Sequence, residues 1–204
     1  MKAKQIPGVP QQEKGSFHDT ESFKEYSDAQ LAFSGFEILK GRFFDINRWQ
    51  EFGGKGGAKF KHFDQNGTPV NRIPKEGDLI RIDIPGPGNP ETKGFDWVKI
   101  ITLSNYFLKN DELENILMNC VPTSPPSQKE NGHIAHFYSD QSASVFSISR
   151  SATYIQMSIY GRNETPNMKT NLIGKIRNFV IAFGGMFGIS KTQWKNFADG
   201  ILEF

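Results

Sequence analysis

Three periodicities follow one another along this chain, and their order narrows the folds open to it. Apolar residues recur at helical spacing over residues 28–52, about six short strand-like runs occupy 58–160, and an apolar, lightly basic helical pattern returns over 171–204. A curved antiparallel sheet held between an early helical pair and a late helix encloses an apolar space. The expected fold is therefore α+β, with six or seven antiparallel strands packed on a long C-terminal helix. A small β-barrel with flanking helices is the alternative.

The helical signals are specific. Ser27 and Gln30 fit a capping box, and Ala32, Phe36, Leu39 and Phe43 then fall on one stripe with Phe33 beside it. Residues 45–52 read as a second, short helix carrying Trp49 and Phe52. Near the C-terminus, Leu172, Ile176, Phe179, Phe183 and Met186 share a stripe widened by Ile173, Val180 and Phe187. Gly184, Gly185 and Gly188 interrupt it. Ser190 and Gln193 make a second capping box before Trp194, Phe197, Ala198, Ile201 and Leu202.

Strand runs are expected at 58–63, 79–84, 97–103, 116–121, 144–149 and 154–160, with a tight turn at Asn66-Gly67. Whether 17–23 adds a first strand is left open. Pro7, Gly8 and Pro10 mark residues 1–16 as a disordered tail, leaving 17–204 as a single domain.

The 18 Phe of the chain promise a core with a large buried area per side chain. Lys and Arg number 24 against 22 Asp and Glu, and a net charge of +2 does not point to nucleic acid. The lone Cys120 excludes an intramolecular disulfide and reads as buried and inert. Lys2 and Lys4 are not followed by an apolar run, and 179–189 is too short to span a bilayer, so a cytoplasmic protein is expected.

No set of residues declares a reaction. His133 and His136 point to opposite faces if extended, so no metal site is expected. Gly53, Gly54, Lys55, Gly56 and Gly57 read as a flexible connection rather than a phosphate loop. The loop around Pro85, Gly86, Pro87 and Gly88 suits either a stiff turn or a lid over a cavity mouth. Arg162, Asn163 and Glu164 read as a surface turn, with an Arg–Glu pair holding a substrate group as the sharper alternative. Asp78, Asp96 and Asp140 read as solvated carboxylates. Lys169, Lys175, Arg177, Lys191 and Lys195 make the C-terminal region basic, which fits a core-covering helix better than a membrane-surface one.

The helical pair around Phe36 and Phe52, the run of strands and the terminal helix together resemble the START-like (SRPBCC, helix-grip) superfamily. The run Phe44, Asp45, Ile46, Asn47, Arg48, Trp49 also looks like the segment after the first helix in such domains. The chain is similar, too, to bacterial proteins without assigned function. The resemblance implies a sheet gripping the last helix, with an apolar cavity between them for a lipid, sterol, polyketide or other hydrophobic molecule. Trp49, Trp97, Tyr160, Arg162, Phe179, Phe183, Met186 and Phe187 are its expected lining. Binding without catalysis, cofactor or metal is the leading expectation. A cyclase- or hydrolase-like enzyme using Tyr160, Arg162 or Glu164 is the rival, and a peripheral membrane or partner-binding protein using Lys175 and Arg177 is a third reading.

Overall fold

The computed structural model describes residues 2–54, 56–84, 93–105, 112–127, 136–167 and 189–204. Among these, seven strands form one antiparallel sheet: β1 (Ser16–Glu25), β2 (Lys59–Phe63), β3 (Leu79–Asp83), β4 (Asp96–Ser104), β5 (Glu114–Pro122), β6 (Ala143–Arg150) and β7 (Tyr154–Glu164). Their spatial order is β1-β7-β6-β5-β4-β3-β2. From β1 at one edge the chain reaches β2 at the other through α1 (Ala29–Phe44) and a 3-10 helix (Ile46–Glu51). The final helix, α2 (Ile189–Gly200), packs on β1 and β7. With β1 and β2 left as edges the sheet is open and curved, which excludes the closed barrel. The fold is α+β and helix-grip-like.

The first strand, left open by the sequence, is 10 residues long and pairs along its length with β7. Its alternation is hard to read because the buried positions are His18, Thr20 and Ser22 rather than apolar residues. In α1 the stripe Ala32, Phe36, Leu39 and Phe43 is fully buried, each large side chain contributing about 2 kcal/mol of burial. Phe33 is exposed at its flank, beneath the Arg150 guanidinium. The cap is Asp28 instead of the expected Ser27: its extended backbone lets the carboxylate accept from the Leu31 amide at 2.9 Å. The Asn66-Gly67 turn forms, with Gly67 at φ +87, but it leads only to a bridge between Phe63 and Pro69. Pro69 has no amide to extend a ladder, and β2 pairs instead with β3.

Alternation gives the sheet two faces. The concave face meets α1, the 3-10 helix and α2, and places Phe60, Ile80, Ile100, Met118, Phe146 and Met157 in the main core. The outer face carries two smaller clusters, Phe63 with Leu79 and Trp97, and Leu117 with Val145 and Tyr160. Residues 1–16 were expected to be a disordered tail. Residues 2–15 form no regular element, yet Ile6 and Val9 pack against the Tyr160 cluster and the Lys4 carbonyl accepts from Arg162. An apolar outer patch and a buried guanidinium offer this segment the partners that its own composition lacks.

Candidate functional site

The polar groups worth following lie where β1 and β7 end on the concave face. His18 on β1 is the register partner of Gly161 on β7, and Ser16 is the partner of Glu164. One extra residue on β7 between those pairs makes a bulge. Asn163 sits in it with φ 53, a left-handed conformation that asparagine tolerates better than most residues. Strict alternation would put Glu164 on the same face as Arg162. The bulge turns Glu164 to the concave side, while Arg162 stays on the outer side over the Phe17 and Tyr160 rings.

Three buried ionisable groups meet as a result. His18 Nε2 lies 3.4 Å from Glu164 Oε1, and both side chains are nearly excluded from solvent. Ser16 Oγ donates to Glu164 Oε2 at 3.2 Å, and Thr20 Oγ1 lies 3.4 Å from His18 Nδ1. Residues 136–139 run beside the extension of β7, where Ser139 N donates to Thr165 O and Tyr138 bridges to Pro166. That path delivers the Tyr138 phenol to the Glu164 carboxylate. Burial, then the Glu164 charge and hydrogen bond, push the phenol's pKa up, so it stays a donor. The α2 residue Trp194 stacks on the His18 ring with centroids 6.3 Å apart. Gly161 is required here: a Cβ would strike the Glu164 carboxylate and the His18 ring.

The expected lining residues are dispersed. Trp49 is on the concave side, fully buried as the hub of Phe43, Phe60, Phe146 and Phe197, with Nε1 donating to the Phe43 carbonyl at 3.0 Å. Trp97 and Tyr160 belong to the outer-face clusters. Arg162 is fully buried on that outer face, 2.7 Å from Asp19 and donating to the carbonyls of His18, Gly161 and Lys4. Trp97, Tyr160 and Arg162 therefore do not line the space between sheet and helices, because strand parity turns each of them away from it. Phe179, Phe183, Met186 and Phe187 lie outside the described residues. So do Lys55, His133, Pro85 to Gly88, Lys169, Lys175 and Arg177.

Other expectations can be placed. The reading of residues 162–164 as a surface turn is corrected, since β7 continues through Glu164 and all three residues are buried. Asp78 and Asp96 are buried rather than solvated. Asp78 accepts from both Arg72 guanidinium nitrogens at 2.7 and 2.8 Å and from the Lys75 amide at 2.9 Å, and it lies 2.9 Å from His62 Nε2. Cys120 is buried as expected, and burial pushes its thiol pKa up. His136 Nδ1 accepts from the Tyr138 amide at 3.0 Å. Among the described residues, no group of three His, Cys, Asp or Glu is placed to hold a metal, and no helix is long and apolar enough to cross a membrane.

The sequence carried only part of this site. Glu164 can be read from it as a carboxylate near a turn. Nothing local says that β7 continues past Tyr160 and bulges.

No protein-family model and no curated protein matches the chain. Solved structures match it in part. The ginseng major latex-like protein 151 from Panax ginseng is 9% identical with a TM-score of 0.35, over 84% of this chain and 96% of that one. Ara h 8.0201 is 9% identical with a TM-score of 0.37, over 92% and 99%. A protein from Arthrobacter aurescens is 12% identical with a TM-score of 0.29, over 87% and 85%. Likeness at these scores carries no argument about this chain. The helix-grip-like assignment rests on strand order, register and the face that the helices cover.

Proposed function

We propose that the protein binds a hydrophobic small molecule or lipid, without transforming it, on the concave face between the sheet and the C-terminal helical region. One register row carries this reading. Gly161, Ser144 and Cys120 stand side by side on β7, β6 and β5, next to His18 on β1. The neighbouring row on the same face presents Ile159, Phe146 and Met118. The Glu164 carboxylate and the His18 ring fill the space over Gly161, so the step from bulky to small side chains favours a recess over Ser144 and Cys120, with an apolar floor that is the usual character of a small-molecule site.

The groups named for a catalytic rival do not converge, since Tyr160 and Arg162 are on the outer face and Glu164 on the concave one. The Cys120 thiol is held protonated by burial, which disfavours it as a nucleophile. Native mass spectrometry of the full chain, incubated with a panel of neutral apolar compounds, tests the reading. Discrete one-to-one adducts are expected. A chain that takes up none of the panel contradicts it.

A further inference from the structure

We infer that the outer face of β2, β3 and β4 docks on the anionic headgroups of a lipid surface. This face lies opposite the recess, and the inference does not depend on the ligand reading above.

Strand parity builds the patch. On the outer side the register rows are Lys59 beside Asp83, then Lys61 beside Arg81 and Trp97, then Phe63 beside Leu79 and Lys99. Four cations stand there against one carboxylate, although the whole chain carries a net charge of only +2. Lys61 and Arg81 are direct cross-strand partners, and like charges in that position oppose pairing. Elsewhere the molecule neutralises its cations: Lys4 with Glu21, Arg72 with Asp78, Arg150 with Glu114 and Arg162 with Asp19 lie at 2.6 to 2.7 Å. Among the described residues, Lys59, Lys61, Arg81 and Lys99 have no such carboxylate. The three lysines are exposed, so their charge is open to an anion from outside.

Arg81 is held in place without being neutralised. Its guanidinium lies 4.0 Å over the Phe95 ring and 5.5 Å over the Phe63 ring. Contacts of that kind restrain a long side chain while leaving its N–H groups able to donate.

The layout selects the partner. Lys59 and Lys99 are two strands and two rows apart, about 16 Å at their backbones from a strand spacing of roughly 4.8 Å and a rise of roughly 3.3 Å per residue. That spread is too wide for one phosphate and suits an array of them. Single-stranded nucleic acid bound to a sheet stacks its bases on open aromatic rings. Here Phe63 and Trp97 are only 8% and 7% exposed, with Arg81 across the cluster. A protein partner is disfavoured as well, because interface cores are poor in lysine and are centred on apolar anchors. A lipid surface needs neither open rings nor anchors, only several cations brought to it together.

Co-sedimentation of the full chain with vesicles tests the inference. The vesicles are phosphatidylcholine alone, or phosphatidylcholine mixed with phosphatidylserine. Salt is set at about 0.1 M and about 1 M, between which the Debye length falls from about 10 to about 3 Å. Binding is expected to the mixed vesicles alone, and it should be lost at the higher salt. Lys61→Gln and Lys99→Gln should each weaken it about fivefold, the effect of one cation at an anionic surface. Lys40→Gln removes the same charge from α1, where Lys40 pairs with Glu37, and should leave binding unchanged. Equal weakening by all three substitutions would show an effect of net charge and overturn the patch. Binding that ignores Lys61 and Lys99, or no binding to mixed vesicles, overturns it too. An oligothymidylate that binds where vesicles do not, and is weakened by the same two substitutions, assigns the face to nucleic acid and rejects the lipid surface. None of these outcomes bears on the recess, which is read by uptake of neutral compounds.

Discussion

A carboxylate can be buried only where donors surround it, as the Arg72 guanidinium and the Lys75 amide surround Asp78. Burial alone would raise its pKa, but the Arg72 guanidinium, the Lys75 amide and His62 outweigh that and hold it below the ordinary value. A depressed folded-state pKa contributes stability above the unfolded value of about 3.9, and that stability is lost as pH falls through the folded value. Urea unfolding followed from pH 7 downward should therefore show a loss beginning at about pH 4. Asp78→Asn should cost about 3 kcal/mol at pH 7, by leaving Arg72 and His62 without their anion, and should flatten the acid limb. An Asn variant as stable as the parent at pH 7 would remove the role given to this pair. Neither Asp78 nor Glu164 was legible from sequence as a buried group. Both stand near turns, where carboxylates are usually solvated, and their partners His62 and His18 are contributed by other strands.

At the scale of elements, the bulge at the end of β7 does most to shape the site. It separates Arg162 from Glu164 and also anchors the N-terminal segment. Asn163 Oδ1 accepts from the Glu13 and Lys14 amides, its Nδ2 donates to the Gln11 carbonyl, and its own amide donates to Gln12. Asn163→Ala combines left-handed strain with the loss of these bonds and should destabilise by about 2 kcal/mol. Faster hydrogen exchange at the Glu13 and Lys14 amides should accompany it, and unchanged exchange there would show that the segment is held by other contacts. Six strands and α1 were legible because their apolar residues keep a clean period, as Leu79 to Ile84 and the Phe36 stripe do. β1 was not, since its inward positions are His18, Thr20 and Ser22. The continuation of β7 was hidden by Arg162 and Asn163, which are polar on the face that the N-terminal segment covers.

For the whole molecule, the order helix, strands, helix was enough to anticipate an open antiparallel sheet covered on one side. Which residues share the covered side was not readable. Trp97 and Tyr160 are large, apolar and in strands, like Phe146 and Met118, and only their parity in the folded register assigns them to the outer face. The small row Gly161, Ser144 and Cys120 likewise becomes a row only once β5, β6 and β7 are aligned. The central claim is that the Ser144 and Cys120 part of this row floors a ligand site. The most direct test is a fluorescence titration of a neutral apolar dye, Nile red, against the full chain and against Ser144→Leu, which fills the row. The account predicts saturable binding at one site per chain, weakened about tenfold or more by the substitution. Dye binding that does not saturate, or that is equal in the two proteins, would contradict it.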